Sequence, residues 1–178
     1  EPPDPHPTGL TAGPAAVVHS TLDAATAGAL ARRAADAGTT VYALLWVALA
    51  ATLAEITGTD DTVIGIPVAG RDDPAIHGLV GMLARTVPLR TSSIRSSRVD
   101  DALAQAHTTF AAGMAHADTA PVTVPPVLLD HDVTPPVPPG IAEYEALPTG
   151  QARTALEVTV RDTGTGMTIA LSVAEHHV

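Results

Sequence analysis

The side chains of this sequence that could do chemistry are eight histidines, its hydroxyl residues and a short Gly-Arg-Asp run; there is no cysteine. Without cysteine there is no thiolate nucleophile, disulfide framework or cysteine-ligated zinc. No histidine pair falls at HxH or HExxH spacing, so scattered surface histidines are expected and no metal site. Asp130-His131-Asp132 places carboxylates beside an imidazole, but neighbours in an extended segment point to opposite faces, so these side chains are not expected to meet. No GxSxG elbow and no P-loop are present. Gly164-Thr165-Gly166 reads as a hairpin turn in which glycine supplies positive φ, and a lone GxG is no nucleotide signature.

The stretch with the most information is residues 65–90, GIPVAGRDDPAIHGLVGMLARTVPLR. On its residues alone it is an apolar strand, a Gly-Arg-Asp turn, a short amphipathic piece and a second strand, with Arg71 paired at the surface to Asp72 or Asp73. Gly70 and Gly81 would permit close backbone approach or positive φ.

The elements that must position this stretch follow from periodicity and caps. Residues 1–14 are rich in Pro and Gly and read as an extended linker, leaving 15–178 as one folded unit. Ser20 and Asp23 fit a capping box, so a first helix is expected at about 21–37, stopped by Gly38. Thr39 or Thr40 caps a second helix running to Gly58, apolar around most of its circumference and therefore buried on several sides. The run TVIGIPV is a central strand ending at Pro67. Residues 86–91 form a short strand that Pro88 confines to an edge or bulge. Ser97 and Asp100 suggest a second capping box, with Val99, Leu103, Ala106, Phe110 and Met114 at helical spacing over about 98–115. Eight prolines break 117–150, where two strand pieces, 122–124 and 127–129, and a long loop are expected. Alternation at Leu156, Val158, Val160 and again at Met167, Ile169, Leu171, Val173 predicts a closing β-hairpin with one buried face. The sum is an α/β (α+β sandwich) layer with mixed strand directions.

Composition narrows the function. A net charge of −10, with nine arginines and no lysine, argues against nucleic acid and against an anionic membrane as partners. Hydrophobic residues make up 46% of the 178, enough for one domain with a sizeable core. The longest apolar run, 41–54, is shorter than the roughly 20 residues that span a bilayer. With no targeting pattern at residue 1 onward, a cytoplasmic setting is the plain expectation.

Residues 65–90 resemble the second half of nonribosomal peptide synthetase condensation domains. That half carries a strand ending in G-x-P-x-x-x-R, an acidic Pro-containing turn, and a block like I-G-x-F-V-N-T-x-P-L-R. Here these stand as Gly65-Ile66-Pro67-Val68-Ala69-Gly70-Arg71, then Asp72-Asp73-Pro74, then Val80-Gly81-Met82-Leu83-Ala84-Arg85-Thr86-Val87-Pro88-Leu89-Arg90. Helix and hairpin order agrees on both sides, so the resemblance covers roughly 22–178. It departs where the usual Phe and Asn are replaced by Leu83 and Arg85.

The resemblance implies a chloramphenicol acetyltransferase-like lobe, a mixed sheet flanked by helices, equivalent to the C-terminal of two lobes that enclose a tunnel. The family's catalytic HHxxxDG lies in the N-terminal lobe, so no catalytic residue is expected in this chain, and His176-His177, with no DG after it, is not that motif. It further implies an acyltransferase-like role in natural product biosynthesis, joining carrier-bound thioesters by amide bonds, incomplete without the N-terminal lobe. Gly70, Arg71, Gly81, Arg85 and Thr86 would then line the tunnel, Arg71 and Arg85 meeting the phosphopantetheine phosphate or carrier acids, since arginine can bind phosphate bidentately. No cofactor is expected to bind directly; the phosphopantetheine arm of a carrier protein delivers substrate. Implied partners are the N-terminal lobe, peptidyl carrier proteins and an adjacent adenylation domain. Two alternatives stand beside this: a degenerate condensation-like module that recruits a carrier protein or tailoring enzyme without chemistry, and a coenzyme A-dependent acyltransferase of the same fold.

Overall fold

The computed structural model describes residues 13–71, 73–92, 94–119, 124–132 and 150–175. Seven strands and three helices follow one another as β1 (Gly13–Asp23), α1 (Ala24–Asp36), α2 (Val41–Thr57), β2 (Thr62–Val68), β3 (Arg85–Thr91), α3 (Val99–Ala115), β4 (Val127–Asp132), β5 (Gln151–Ala152), β6 (Leu156–Asp162) and β7 (Gly166–Ala174). The strands form one sheet in the order β3-β2-β4-β6-β7-β1-β5. β4 runs parallel to both β2 and β6, and every other pairing is antiparallel. The mixed directions read from the sequence are therefore present.

Local chemistry accounts for the helix ends. Thr40 accepts a hydrogen bond from the Ala43 amide at 3.2 Å to open α2, and Gly58 closes it at φ +73°, as its sequence predicts. The two capping boxes are corrected. Ser20 lies inside β1, and Asp23 caps α1 instead, accepting from the Thr26 amide at 2.8 Å. Nine consecutive residues of β1, Ala15 to Asp23, pair with β7, and that ladder outweighs one local cap. Gly13 and Pro14, read as linker, pair with Ala152 and Gln151. At α3 the N-cap is Arg98, without a side-chain cap bond, and Asp100 turns to an ion pair with Arg33 of α1. β2 continues one residue past Pro67. Of the strand piece expected at 122–124, residues 122 and 123 lie outside the described residues and Val124 is irregular; residues 1–12, residues 133–149, where a long loop is expected, and His176-His177 also lie outside them.

Because side chains alternate along a strand, register divides the sheet into two faces. Ile64, Ile66, Val87, Leu89, Leu129, Val158, Val160 and Met167 share one face and pack on Trp46, Val47, Ala50 and Ala54 of α2 and Ala102, Leu103 and Ala106 of α3. Burial of this kind stabilises by about 25 cal/mol per Å² of apolar surface. α2 carries apolar residues on most sides because it lies between α1, α3 and the sheet. Gly113 of α3 lies against Leu89, where a methyl would overlap the leucine side chain, so this glycine lets the helix seat on β3.

The opposite face carries Pro88, Gly65, Leu128, Glu157, Ser172 and Val17 in one cross-strand row. Asp130 and Asp132 sit on this face, while His131 faces the helices and stacks on Tyr42 with ring centroids 6.1 Å apart. The carboxylates and the imidazole of that triplet are separated as the strand reading requires. Asp132 accepts from Arg161 Nε at 3.0 Å, and Glu157 is ion-paired with Arg153.

Burial and the nearby Glu157 charge hold the Asp130 carboxyl above its ordinary value, with Arg153 opposing. Its protonated form is thus favoured in the folded state, a contribution present below the ordinary carboxylate pKa and lost as pH rises through the raised value. Replacing Asp130→Asn is therefore expected to raise the thermal midpoint at pH 7 by about 1–2 °C, a small effect because the group is part-exposed. The gain should vanish near about pH 3, where wild-type Asp130 is itself neutral. Paired thermal melts check this, and an equal difference at both pH values would contradict it.

Candidate functional site

Residues 65–90 fold as a β2–β3 hairpin with a long, internally braced connection. After Val68 the chain turns at Gly70, whose φ is +63° and whose missing side chain leaves room for the Leu83 carbonyl oxygen. Arg71 then reaches across the connection: its Nη1 donates to the carbonyl oxygens of Leu79 at 3.0 Å and Ile76 at 3.3 Å, and its Nη2 donates to Gly81 at 3.0 Å. His77 Nε2 sits 2.9 Å from the Arg71 carbonyl oxygen. Asp73 caps the 3-10 turn Pro74–Ile76 by accepting from the Ala75 amide at 2.8 Å. Of the two acidic partners expected for Arg71, Asp73 is thus engaged with backbone, and Asp72 lies outside the described residues.

Arg85, where the motif usually has Asn, begins β3. Its Nη1 donates to the Ala117 carbonyl oxygen at 3.2 Å and lies 2.7 Å from Asp118 Oδ1. The guanidinium passes beside Gly70. One side chain therefore ties the Gly70 turn and the start of β3 to the end of α3. Thr86 points the other way: it pairs with Pro67, and its methyl sits 2.8 Å from where a Gly65 Cβ would stand. So Gly70, Arg71, Gly81 (φ +151°) and Arg85 converge on one connection, whereas Thr86 belongs to the helix-free face.

β3 is the sheet's edge, as Pro88 requires. Proline cannot donate to a ladder, so its position opposite Gly65 is compatible only with a nitrogen turned to the free side. That also blunts the edge against further strand pairing. Beside it an open groove of about 520 Å³ runs between β3 and α3, lined by Val87, Leu89, Thr108, Ala112, Gly113 and His116. Sequence reasoning did not find this groove, nor the Arg85–Asp118 and Arg153–Glu157 pairs. The first pair joins residues far apart in the chain, and only the i,i+4 spacing of the second was visible in advance. Among the described residues no group of three metal-ligating side chains comes together. None of the described helices is by itself long and apolar enough to cross a membrane.

A curled mixed sheet with helices packed on one face, and a G-x-P-x-x-x-R strand leading into a braced connection, define a condensation-domain fold. The condensation-domain family model matches residues 12–120, and the chain belongs to that family, the condensation domains of nonribosomal peptide synthetases. Phosphinothricin tripeptide synthetase PhsB of Streptomyces viridochromogenes is 49% identical over 57 residues, 32% of this chain and 5% of that protein. In structure, the chain is similar to the first condensation domain of the CDA synthetase, with a TM-score of 0.67 at 20% identity over 94% of this chain and 41% of that one. It is also similar to the X-domain solved in complex with OxyB from teicoplanin biosynthesis, with a TM-score of 0.71 at 22% identity over 96% of this chain and 43% of that one. The chain spans 5% or less of the length of the curated relatives it matches.

Proposed function

We propose that this chain is the C-terminal lobe of a condensation domain, forming one wall of a tunnel in which carrier-bound aminoacyl or peptidyl thioesters are joined by amide bond formation. The observation that carries this reading is a ratio: the alignment takes in nearly all of this chain but only 41–43% of the similar condensation-type chains. A chain that aligns over nearly all of its length yet takes in under half of the similar chains is what one lobe of two would be. The motif half to which residues 65–90 are similar is the second one, which supports the C-terminal assignment.

In this reading the lobe supplies shape and no proton transfer. General acid–base assistance to an attacking amine needs an imidazole within hydrogen-bond reach of the reacting nitrogen, and that group would come from the HHxxxDG motif of the other lobe. The lobe's own contribution is to hold the 80–86 segment rigid beside the thioester arm. The carrier protein and an adjacent adenylation domain are partners of the whole assembly, and phosphopantetheine reaches the tunnel as the carrier's arm. Arg71 and Arg85 are the cations nearest that segment, although their bonds to backbone carbonyls and Asp118 leave them fewer donors for a phosphate.

The test is reconstitution. With an N-terminal lobe carrying HHxxxDG, carrier-bound donor and acceptor thioesters should give dipeptidyl carrier, and omission of either lobe should abolish the product. Failure to form product with both lobes folded and associated would overturn the reading. One observation favours the recruiting alternative: the side chain at the motif's Asn position is committed to Ala117 and Asp118, and a similar fold, the X-domain, is recorded in complex with a second protein, OxyB. The same assay separates the two, since a recruiting module would bind its partner with no product formed.

A further inference from the structure

The Arg85 guanidinium stands where three pieces of chain meet: the start of β3, the Gly70 turn and the 3-10 turn Ala117–Thr119 that follows α3. One nitrogen engages the last of these twice. Nη1 donates to the Ala117 carbonyl oxygen at 3.2 Å and lies 2.7 Å from Asp118 Oδ1. The 3-10 turn is itself fixed, because Ala117 is buried and the Thr119 amide and hydroxyl each donate to the His116 carbonyl oxygen at 3.0 Å. A charge-assisted bond is shorter and stronger than a neutral one, so the far end of Arg85 is anchored to the end of α3.

The near end determines what that anchor holds. A side chain at Gly70 would meet the Leu83 carbonyl oxygen and, at 3.3 Å, Arg85 Nε, so the turn, residues 83–85 and the guanidinium pack as one unit. The other close approach of α3 to β3 is Gly113 on Leu89. An apolar contact sets how near helix and strand lie but has no direction of its own, whereas hydrogen bonds hold their partners to a narrow range of distance and angle. Global stability depends little on the pair. The Asp118 side chain is 89% exposed, and exposed ion pairs contribute little to folding.

We propose that Arg85 and Asp118 are the positioning residues of the 83–86 segment, the pair fixing where the start of β3 stands against the end of α3 and so where Thr86 is presented on the helix-free face. This deepens the amide-forming reading above and rests on it.

Steady-state kinetics of the two-lobed domain with carrier-bound thioesters, together with hydrogen exchange on this chain, test it. Asp118→Ala should lower kcat about tenfold with KM within about twofold, because a shifted segment misplaces bound substrate without removing a contact to it. Asp118→Glu keeps the carboxylate and should restore most of the rate. Asp61→Ala is the control: it breaks a second exposed pair, with Arg90 of the same strand, and should leave kcat unchanged. In this chain Asp118→Ala should speed exchange of the Arg85 and Val87 amides about tenfold and leave those of α2 unchanged, which separates local loosening from loss of fold. An unchanged kcat in Asp118→Ala, or an equal loss in Asp61→Ala, overturns the proposal. A raised KM at unchanged kcat overturns it too, since Asp118 would then be a docking contact. If the wild-type domain, folded and with its lobes associated, forms no product, the amide-forming reading fails and exchange alone decides: faster exchange at Arg85 and Val87 upholds the positioning pair, and unchanged exchange overturns it.

Discussion

Trp46→Ala should cost about 3–5 kcal/mol of folding stability, the range for removing a large aromatic side chain from a packed core. Trp46 is the only tryptophan in the chain and is fully buried. Its ring meets Phe110 edge-on with centroids 5.5 Å apart, and Phe110 meets Tyr42 edge-on at 5.8 Å. This aromatic row joins α2 to α3 and, through the Tyr42 hydroxyl donating to the Leu129 carbonyl oxygen at 2.7 Å, to β4. Total stability for a domain is about 5–15 kcal/mol, so the alanine variant should be largely unfolded at modest urea concentrations.

Trp46→Phe should behave very differently. The indole Nε1 is buried and makes no hydrogen bond among the described residues, and phenylalanine removes that donor while keeping most of the ring. The swap leaves a much smaller cavity than alanine does, costing about 1–2 kcal/mol, and loss of an unsatisfied donor works in the other direction. Urea unfolding followed by far-ultraviolet circular dichroism checks both, since either change removes the tryptophan fluorescence. An alanine variant within about 1 kcal/mol of wild type would show that the core is not organised around this residue.

The second large effect is expected at Gly70. Gly70→Ala adds a methyl that overlaps the Leu83 carbonyl oxygen, in a backbone conformation of φ +63° that already disfavours any side chain. Gly38 supplies the control, because its φ is +62° but no atom lies within 4 Å of the added methyl. Gly38→Ala should therefore cost only the conformational part, about 1 kcal/mol, and Gly70→Ala about 2–4 kcal/mol, the excess reporting the steric part. Under the two-lobe function proposed above, Gly70→Ala should also reduce amide formation, because displacing Leu83 moves the whole 80–86 segment, while Gly38→Ala should leave it unchanged. Equal destabilisation by the two variants would show that the Leu83 segment yields freely and is not held by the turn.

What the sequence determined by itself was local or periodic. Thr40 and Gly58 delimit α2 because a hydroxyl cap and a left-handed glycine act on amides and carbonyls within one turn. Alternation set the β6–β7 hairpin, and Pro88 confined β3 to an edge or a bulge because a proline has no amide hydrogen to give, the sheet order then selecting the edge. The G-x-P-x-x-x-R and P-L-R residues pointed to the family, since each is a demand on backbone geometry that a sequence records directly.

Tertiary structure decided what depends on distant partners. Ser20 and Asp23 both satisfy the local rule for a helix start, and only the ladder between β1 and β7 selects Asp23 by drawing Ser20 into a strand. Asp100 fits a capping box with Ser97 until Arg33, 67 residues away, claims its carboxylate. Arg71 is the same case at the candidate site. Its neighbour Asp73 invites an ion pair in sequence, but the fold turns that carboxylate to the Ala75 amide and brings three carbonyl oxygens within reach of one planar guanidinium.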